Sequence, residues 1–184
     1  MRALIVYESM FGATRRIAEA IAEGTGLGGG AVVVRASTVH SEQVLTNDLL
    51  VVGAPTHVHA LPRPMTRKGS PDAVSKSNGA LTLEPRADVD PGVREWLEML
   101  GTCHGPAAAF DTRLAMHPLM TGRASRGIYR RLRNLGCTMV MPAQSFLVDK
   151  HNQLLAGELE RARRWGEQLA SAAARKQSHV GTQR

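Results

Sequence analysis

Three short aliphatic runs constrain the fold of this chain more than any other feature: Leu4-Ile5-Val6-Tyr7, Ala31-Val32-Val33-Val34-Arg35 and Leu49-Leu50-Val51-Val52-Gly53. None alternates apolar with polar residues. Each therefore reads as a strand buried on both faces, and strands of that kind lie in parallel sheets covered by helices. Between the first two, Ile17, Ala18, Ile21 and Ala22 recur at helical spacing while Arg15, Arg16, Glu19 and Glu23 take the other side. That spacing predicts an amphipathic helix over 14–24. Residues 37–48 hold one short helix before the third run. Strands alternating with helical connectors make the class α/β, a doubly wound parallel sheet, rather than α+β.

The rest of the chain extends the same alternation. Residues 63–90 carry Pro64, Gly69, Pro71, Gly79 and Pro85, too many breakers for a continuous helix, and read as a long loop over the carboxyl edge of the sheet. Pro91 opens a helix through Val93, Trp96, Leu97 and Leu100. Residues 106–110 form a fourth strand, and Asp111-Thr112-Arg113 begins the loop that follows. A helix over 123–135 buries Ile128, Leu132 and Leu135, and a fifth strand over 138–148 is interrupted by Pro142. A last helix over 154–175 completes one domain, residues 1–175, with 176–184 expected as a disordered polar tail.

Composition bounds the function. Of 184 residues 43% are hydrophobic, enough for a sizeable core, but only 4% are aromatic, so the core is aliphatic and platforms for a flat ligand are few. Lys and Arg outnumber Asp and Glu by 23 to 16, which favours acidic partners, nucleic acid or an anionic membrane without choosing among them. Cys103 and Cys137 stand far apart and outside any metal-ligand spacing, so no disulfide framework or zinc site is expected, and the thiols read as reduced in the cytoplasm. No signal peptide or run of eighteen apolar residues occurs, so no membrane insertion is expected.

Two loops stand out as ligand sites. In Ser9-Met10-Phe11-Gly12-Ala13-Thr14 two hydroxyls, a glycine and the start of a helix converge, an arrangement suited to an anion and above all to a phosphate. The loop after the third strand, Ala54 to Pro62, contains Pro55, Thr56, His57, Val58 and His59. In a sheet of order 2-1-3-4-5 the loops after strands 1 and 3 adjoin at the topological switch point, where open α/β sheets bind ligands. Residues 24–29 formally match G-x-G-x-x-G, but they follow a helix and precede a strand, the reverse of the dinucleotide fingerprint. His57-x-His59 lacks a third metal ligand. No receiver aspartate, Gly-x-Ser-x-Gly or Walker loop is present.

The order of elements and the residues of these loops resemble the flavodoxin-like family of FMN-binding proteins. Ser9, Gly12 and Thr14 match the family's phosphate loop, Gly53-Ala54-Pro55-Thr56 its second flavin loop, and Ala109-Phe110-Asp111-Thr112-Arg113 the start of its third. The resemblance implies a five-stranded parallel sheet of order 2-1-3-4-5. It implies FMN as cofactor, its phosphate held by Ser9, Met10, Phe11, Gly12, Ala13 and Thr14. The ring would lie near Pro55, Thr56, His57, Val58, His59, Asp111, Thr112 and Arg113. Three departures stand beside it. Phe11 replaces a hydroxyl, and His57, His59, Met116 and His117 stand where stacking aromatics are usual. Residues 56–60 contain no glycine to hydrogen-bond reduced flavin.

The resemblance implies electron transfer to a redox partner protein or to a small acceptor such as a quinone, with NADPH, NADH or a reductase as donor. The competing reading is a flavin-free binding or regulatory module that uses its long loop and a basic helix. On that helix Arg123, Arg126, Arg130 and Arg133 share one side with no acidic residue between them. A solvated face, an acidic protein and the extra phosphate of NADPH all fit it, whereas nucleic acid is disfavoured for lack of interleaved aromatics. Nothing in the sequence selects an oligomeric state.

Overall fold

The computed structural model describes residues 1–26, 30–57, 60–63, 65, 74–75, 79 and 81–181, without the side chains of Ser41 and of residues 177–181. Strands β1 (Ala3–Tyr7), β2 (Ala31–Arg35) and β3 (Leu49–Pro55) form where the aliphatic runs place them. β4 spans Gly105–Leu114, β5 Cys137–Met139 and β6 Gln144–Val148. Among the described residues these strands pair in parallel, in the order β2-β1-β3-β4-β5, with β6 also on β4. β5 and β6 are two segments of the expected fifth strand. β5 pairs with Gly105–Ala107 and β6 with Phe110–Leu114, and the break at Pro142 falls between them.

β4 is longer than its sequence suggested, because β3 continues to Pro55 on one side and β6 offers a ladder on the other. Asp111, Thr112 and Arg113 are therefore strand residues, opposite Ser145, Phe146 and Leu147, not the start of a loop.

Side chains alternate across the sheet. Leu4, Val6, Leu50, Val52, Ala107 and Ala109 face a core built with α3 (Val93–Met99), α5 (Ala124–Asn134) and Val44 of α2 (Ser41–Leu45). Ile5, Leu49, Val51, Ala108 and Phe110 face α1 (Ala13–Thr25) and α6 (Glu158–Gly181). α4 (Pro118–Thr121) is a single turn after β4. Phe110, Phe146 and Trp165 meet edge to face, their centroids 6.1–6.4 Å apart, so three of the scarce aromatics go to the core. α6 reaches Gly181, beyond the boundary expected at 175. Among the described residues no helix is long and apolar enough to cross a membrane.

Candidate functional site: a crevice at the carboxyl edge of the sheet

The first loop is held from several sides. Glu8 N–H donates to Gly53 O at 3.0 Å, which ties the end of β1 to β3, and the buried Glu8 carboxylate accepts Val93 N–H at 2.9 Å at the start of α3. Ser9 Oγ accepts Gly12 N–H at 3.1 Å and so closes the turn. Gly12 has φ +88°, a left-handed conformation that a side chain would strain. α1 then begins with no side-chain cap bond, and helix geometry leaves the N–H groups of Ala13, Thr14 and Arg15 without intrahelical acceptors. Thr14 is buried, and its Oγ1 lies 2.7 Å from Thr112 Oγ1 on β4. Local chemistry and the positive end of the helix dipole thus favour an anion at this turn.

Next to the turn lies a cavity of about 200 Å³. Of the residues singled out in the sequence, Met10, Phe11, Ala13 and Thr14 line it from the first loop, Pro55, Thr56 and His57 from the second, and Thr112 and Arg113 from β4. The backbone of His57 exchanges two hydrogen bonds with Ala60, at 2.9 and 3.0 Å. Ser9 instead faces a small neighbouring recess beside Arg35 and Asp90. Val58 and His59 lie outside the described residues.

Asp111 does not line the cavity. It is fully buried, and its Oδ2 accepts Ser125 N–H at 2.8 Å, while Thr56 Oγ1 accepts Ala124 N–H at 3.0 Å. These two side chains, one on β4 and one just past the end of β3, serve the open N–H groups of the first turn of α5. Burial pushes the Asp111 carboxyl above the usual carboxylate range, against the pull of the Ser125 N–H and of the nearby hydroxyls of Ser125, Ser145 and Thr56. Arg113 is also buried. Its guanidinium donates to the carbonyls of Leu114 and Met116 at 3.1 and 2.7 Å, so it organises the segment after β4 while forming part of the cavity wall. Burial lowers its pKa, opposed by the charge of Asp111.

Several lining residues carried no signal in the sequence. Leu81 comes from the long segment after β3, Leu114 ends β4, and Val148, Asp149, Lys150 and Asn152 follow from the end of β6. The last four could have been inferred from topology, since the loop after the fifth strand opens on the same edge. Glu84 could not. It is buried beside the first loop, donates its N–H to Met10 O at 2.7 Å, and pairs with Arg35 and, at 2.8 Å, with Arg15. A Cβ on Gly12 would lie 3.7 Å from Glu84 Oε1, so a carboxylate already stands close to the anion-favouring turn.

Residues 5–65 match the flavodoxin family model. No curated protein matches the sequence. Among solved structures, an archaeal flavodoxin is 19% identical with a TM-score of 0.65, covering 95% of this chain and 99% of its own. Oxidised flavodoxin 1 from Bacillus cereus is 14% identical with a TM-score of 0.63, covering 93% and 98%. The rubredoxin oxygen:oxidoreductase from Desulfovibrio gigas is 15% identical with a TM-score of 0.59, covering 95% of this chain and 36% of its own.

Proposed function

We propose, for a chain that is flavodoxin-like in fold and in the sequence of residues 5–65, that the crevice binds FMN and that the protein is an electron carrier or reductase. The observation that carries this reading is the first loop, whose uncapped helix start, left-handed Gly12 and Thr14 hydroxyl adjoin the cavity. The residues present fit the cofactor. Ala13, Thr14 and Arg15 N–H groups with the Thr14 hydroxyl would hold the phosphate. Leu81, Pro55, His57 and Leu114 would flank the apolar portion, and Lys150 adds positive charge. When bound, FMN supplies one- or two-electron redox chemistry. The chain's own residues orient it, and Met10, Leu81 and Val148 limit water around it.

A partner is suggested by the adjoining surface. Arg123, Arg126 and Arg130 line an open concavity of about 640 Å³ with Tyr129, Pro142 and Ala143. It begins beside Ala124, whose N–H is held by Thr56 of the crevice. Exposed Leu114, Met116, Leu119 and Met120 lie on the segment just before it. Arg, Met and Tyr around an apolar patch make the composition of a protein interface, and its charge calls for an acidic redox protein. NADPH or NADH as donor, and a quinone as small acceptor, remain part of the proposal on the resemblance alone.

Glu84 supports a second reading, a flavodoxin-like module that works without flavin, because its carboxylate competes with an anion at the first loop. One experiment separates the two. The freshly purified protein is examined for visible flavin absorbance and then titrated with FMN. The expected result is quenching of flavin fluorescence with saturation at or below micromolar concentration. A colourless protein with no binding in that range would sink the flavin reading and leave the module.

A further inference from the structure

We infer that Cys103 and Cys137 form a reversible dithiol–disulfide site, a two-electron centre separate from the crevice. Their sulfurs lie 2.7 Å apart although 34 positions separate them in sequence, and both thiols are buried and free. A disulfide bond measures about 2.05 Å, so little movement joins them.

The backbone brings the pair together deliberately. Cys137 opens β5 opposite Gly105 of β4, and Cys103 precedes β4 with its N–H donating to Leu135 O at 2.8 Å. The turn between Leu135 and Cys137 is Gly136, at φ +100°. A Cβ there would lie 2.9 Å from Cys103 O and 3.0 Å from His104 Nδ1, so only glycine lets the two segments approach this closely. Leu100, Ala107 and Leu132 belong to the same core cluster as both cysteines, and a disulfide among them buries no charge.

The site lies at the opposite end of the sheet from the crevice. From Cys103 to Thr112 the chain covers about 30 Å at strand spacing, so neither centre contacts the other, and the inference does not depend on flavin binding.

The thiols are chemically unequal. Cys137 S–H donates to Cys103 Sγ, which holds Cys103 below the usual thiol range and pushes Cys137 above it. Cys103 also lies in the segment between α3 and β4, flanked by exposed Gly101, Thr102 and His104, so local opening presents it first. The oxidant is a low-molecular-weight disulfide. Cys103 thiolate attacks one of its sulfurs, forming a mixed disulfide and expelling one thiolate. Cys137 then loses its proton and attacks Cys103 Sγ, forming the protein disulfide and expelling the second thiolate. Two protein thiols are oxidised and one small disulfide is reduced to two thiols.

The test refolds the full reduced chain from urea in buffers of graded reduced and oxidised glutathione, so that burial does not limit access. Under oxidising conditions the expected product is a monomer lighter by two hydrogens, with one peptide pair linking Cys103 to Cys137. Its Tm should exceed that of the reduced form by roughly 5–15 °C. Dithiothreitol should reverse both changes. Cys137→Ala should abolish the difference between oxidised and reduced samples. Free thiols throughout, glutathione retained on one cysteine, a linked dimer, or a bridge that lowers the Tm would each overturn the inference.

Discussion

Thr14 Oγ1 and Thr112 Oγ1 lie 2.7 Å apart, joining the first turn of α1 to the end of β4 across 98 positions of sequence. One hydroxyl of the pair donates to the other, which leaves one hydroxyl hydrogen and further lone pairs for another partner, and both residues line the cavity. The first loop and the third wall of the crevice are thereby fixed to each other.

Thr14→Val removes this hydroxyl while keeping the side-chain shape. A hydrogen bond to a charged group contributes about 1.5–3 kcal/mol, so FMN affinity should fall roughly ten- to hundredfold. Riboflavin, which brings no phosphate, should lose far less. Fluorescence titration of both ligands checks this, and equal losses would place the phosphate elsewhere.

Glu84→Gln removes the carboxylate beside Gly12 and breaks its ion pairs with Arg15 and Arg35. FMN should bind roughly two- to fivefold tighter, the scale of a partly exposed charge interaction, with little change for riboflavin. The Tm should fall slightly as the ion pairs are lost. Weaker FMN binding would show that Glu84 supports the loop more than it opposes the phosphate.

Asp111 gives stability a pH dependence of definite sign. Burial raises its folded-state pKa above the unfolded value, so the folded chain holds this proton more tightly. Its contribution is greatest below the unfolded pKa and is lost as pH rises through the folded one. Urea unfolding across pH 4–7 should show this decline in the wild type and a flatter profile in Asp111→Asn. An identical slope in both would assign the dependence to another group.

Reversing the arginine surface with Arg126→Glu and Arg130→Glu should slow electron exchange with an acidic ferredoxin. The expected fall is about tenfold at low ionic strength and small in high salt. Stopped-flow absorbance measures it. Both arginines are exposed and outside the crevice lining, so FMN affinity should not change. A salt-independent loss would mean that the surface does not steer an acidic partner.

Gly24 shows how a residue can be legible in kind and misread in role. In sequence it ends the first helix. In the fold α1 continues to Thr25, and a Cβ on Gly24 would lie 2.0 Å from Arg163 O of α6, while one on Gly166 would lie 2.4 Å from Ile21 O. The glycine sets the distance between two helices, and nothing local could reveal that, because the partner stands about 140 positions away in the sequence. Gly24→Ala should therefore destabilise by about 1–3 kcal/mol in urea unfolding. Helix propensity alone would make the same change stabilising.

The crevice was readable in the same uneven way. The first loop is a local motif, and its hydroxyls, glycine and helix start are written in consecutive residues. Thr56 lines the crevice and also holds the Ala124 N–H, while Asp111 turns away from the cavity to the Ser125 N–H; both serve the start of α5, a demand that nothing in their local sequence announces. Glu84 reaches the first loop from a segment whose many breakers announced only that it was irregular.

The sequence by itself determined the parallel α/β sheet, the order of its elements and the turn that favours an anion, because each follows from short-range periodicity and local hydrogen-bonding demand. Tertiary structure alone decided the contacts between distant segments: the Thr14–Thr112 pair, the carboxylate beside Gly12, the glycine-mediated helix contact and the meeting of Cys103 with Cys137. These depend on sheet register and on how closely two backbones can approach. Neither quantity exists until distant parts of the chain are packed together.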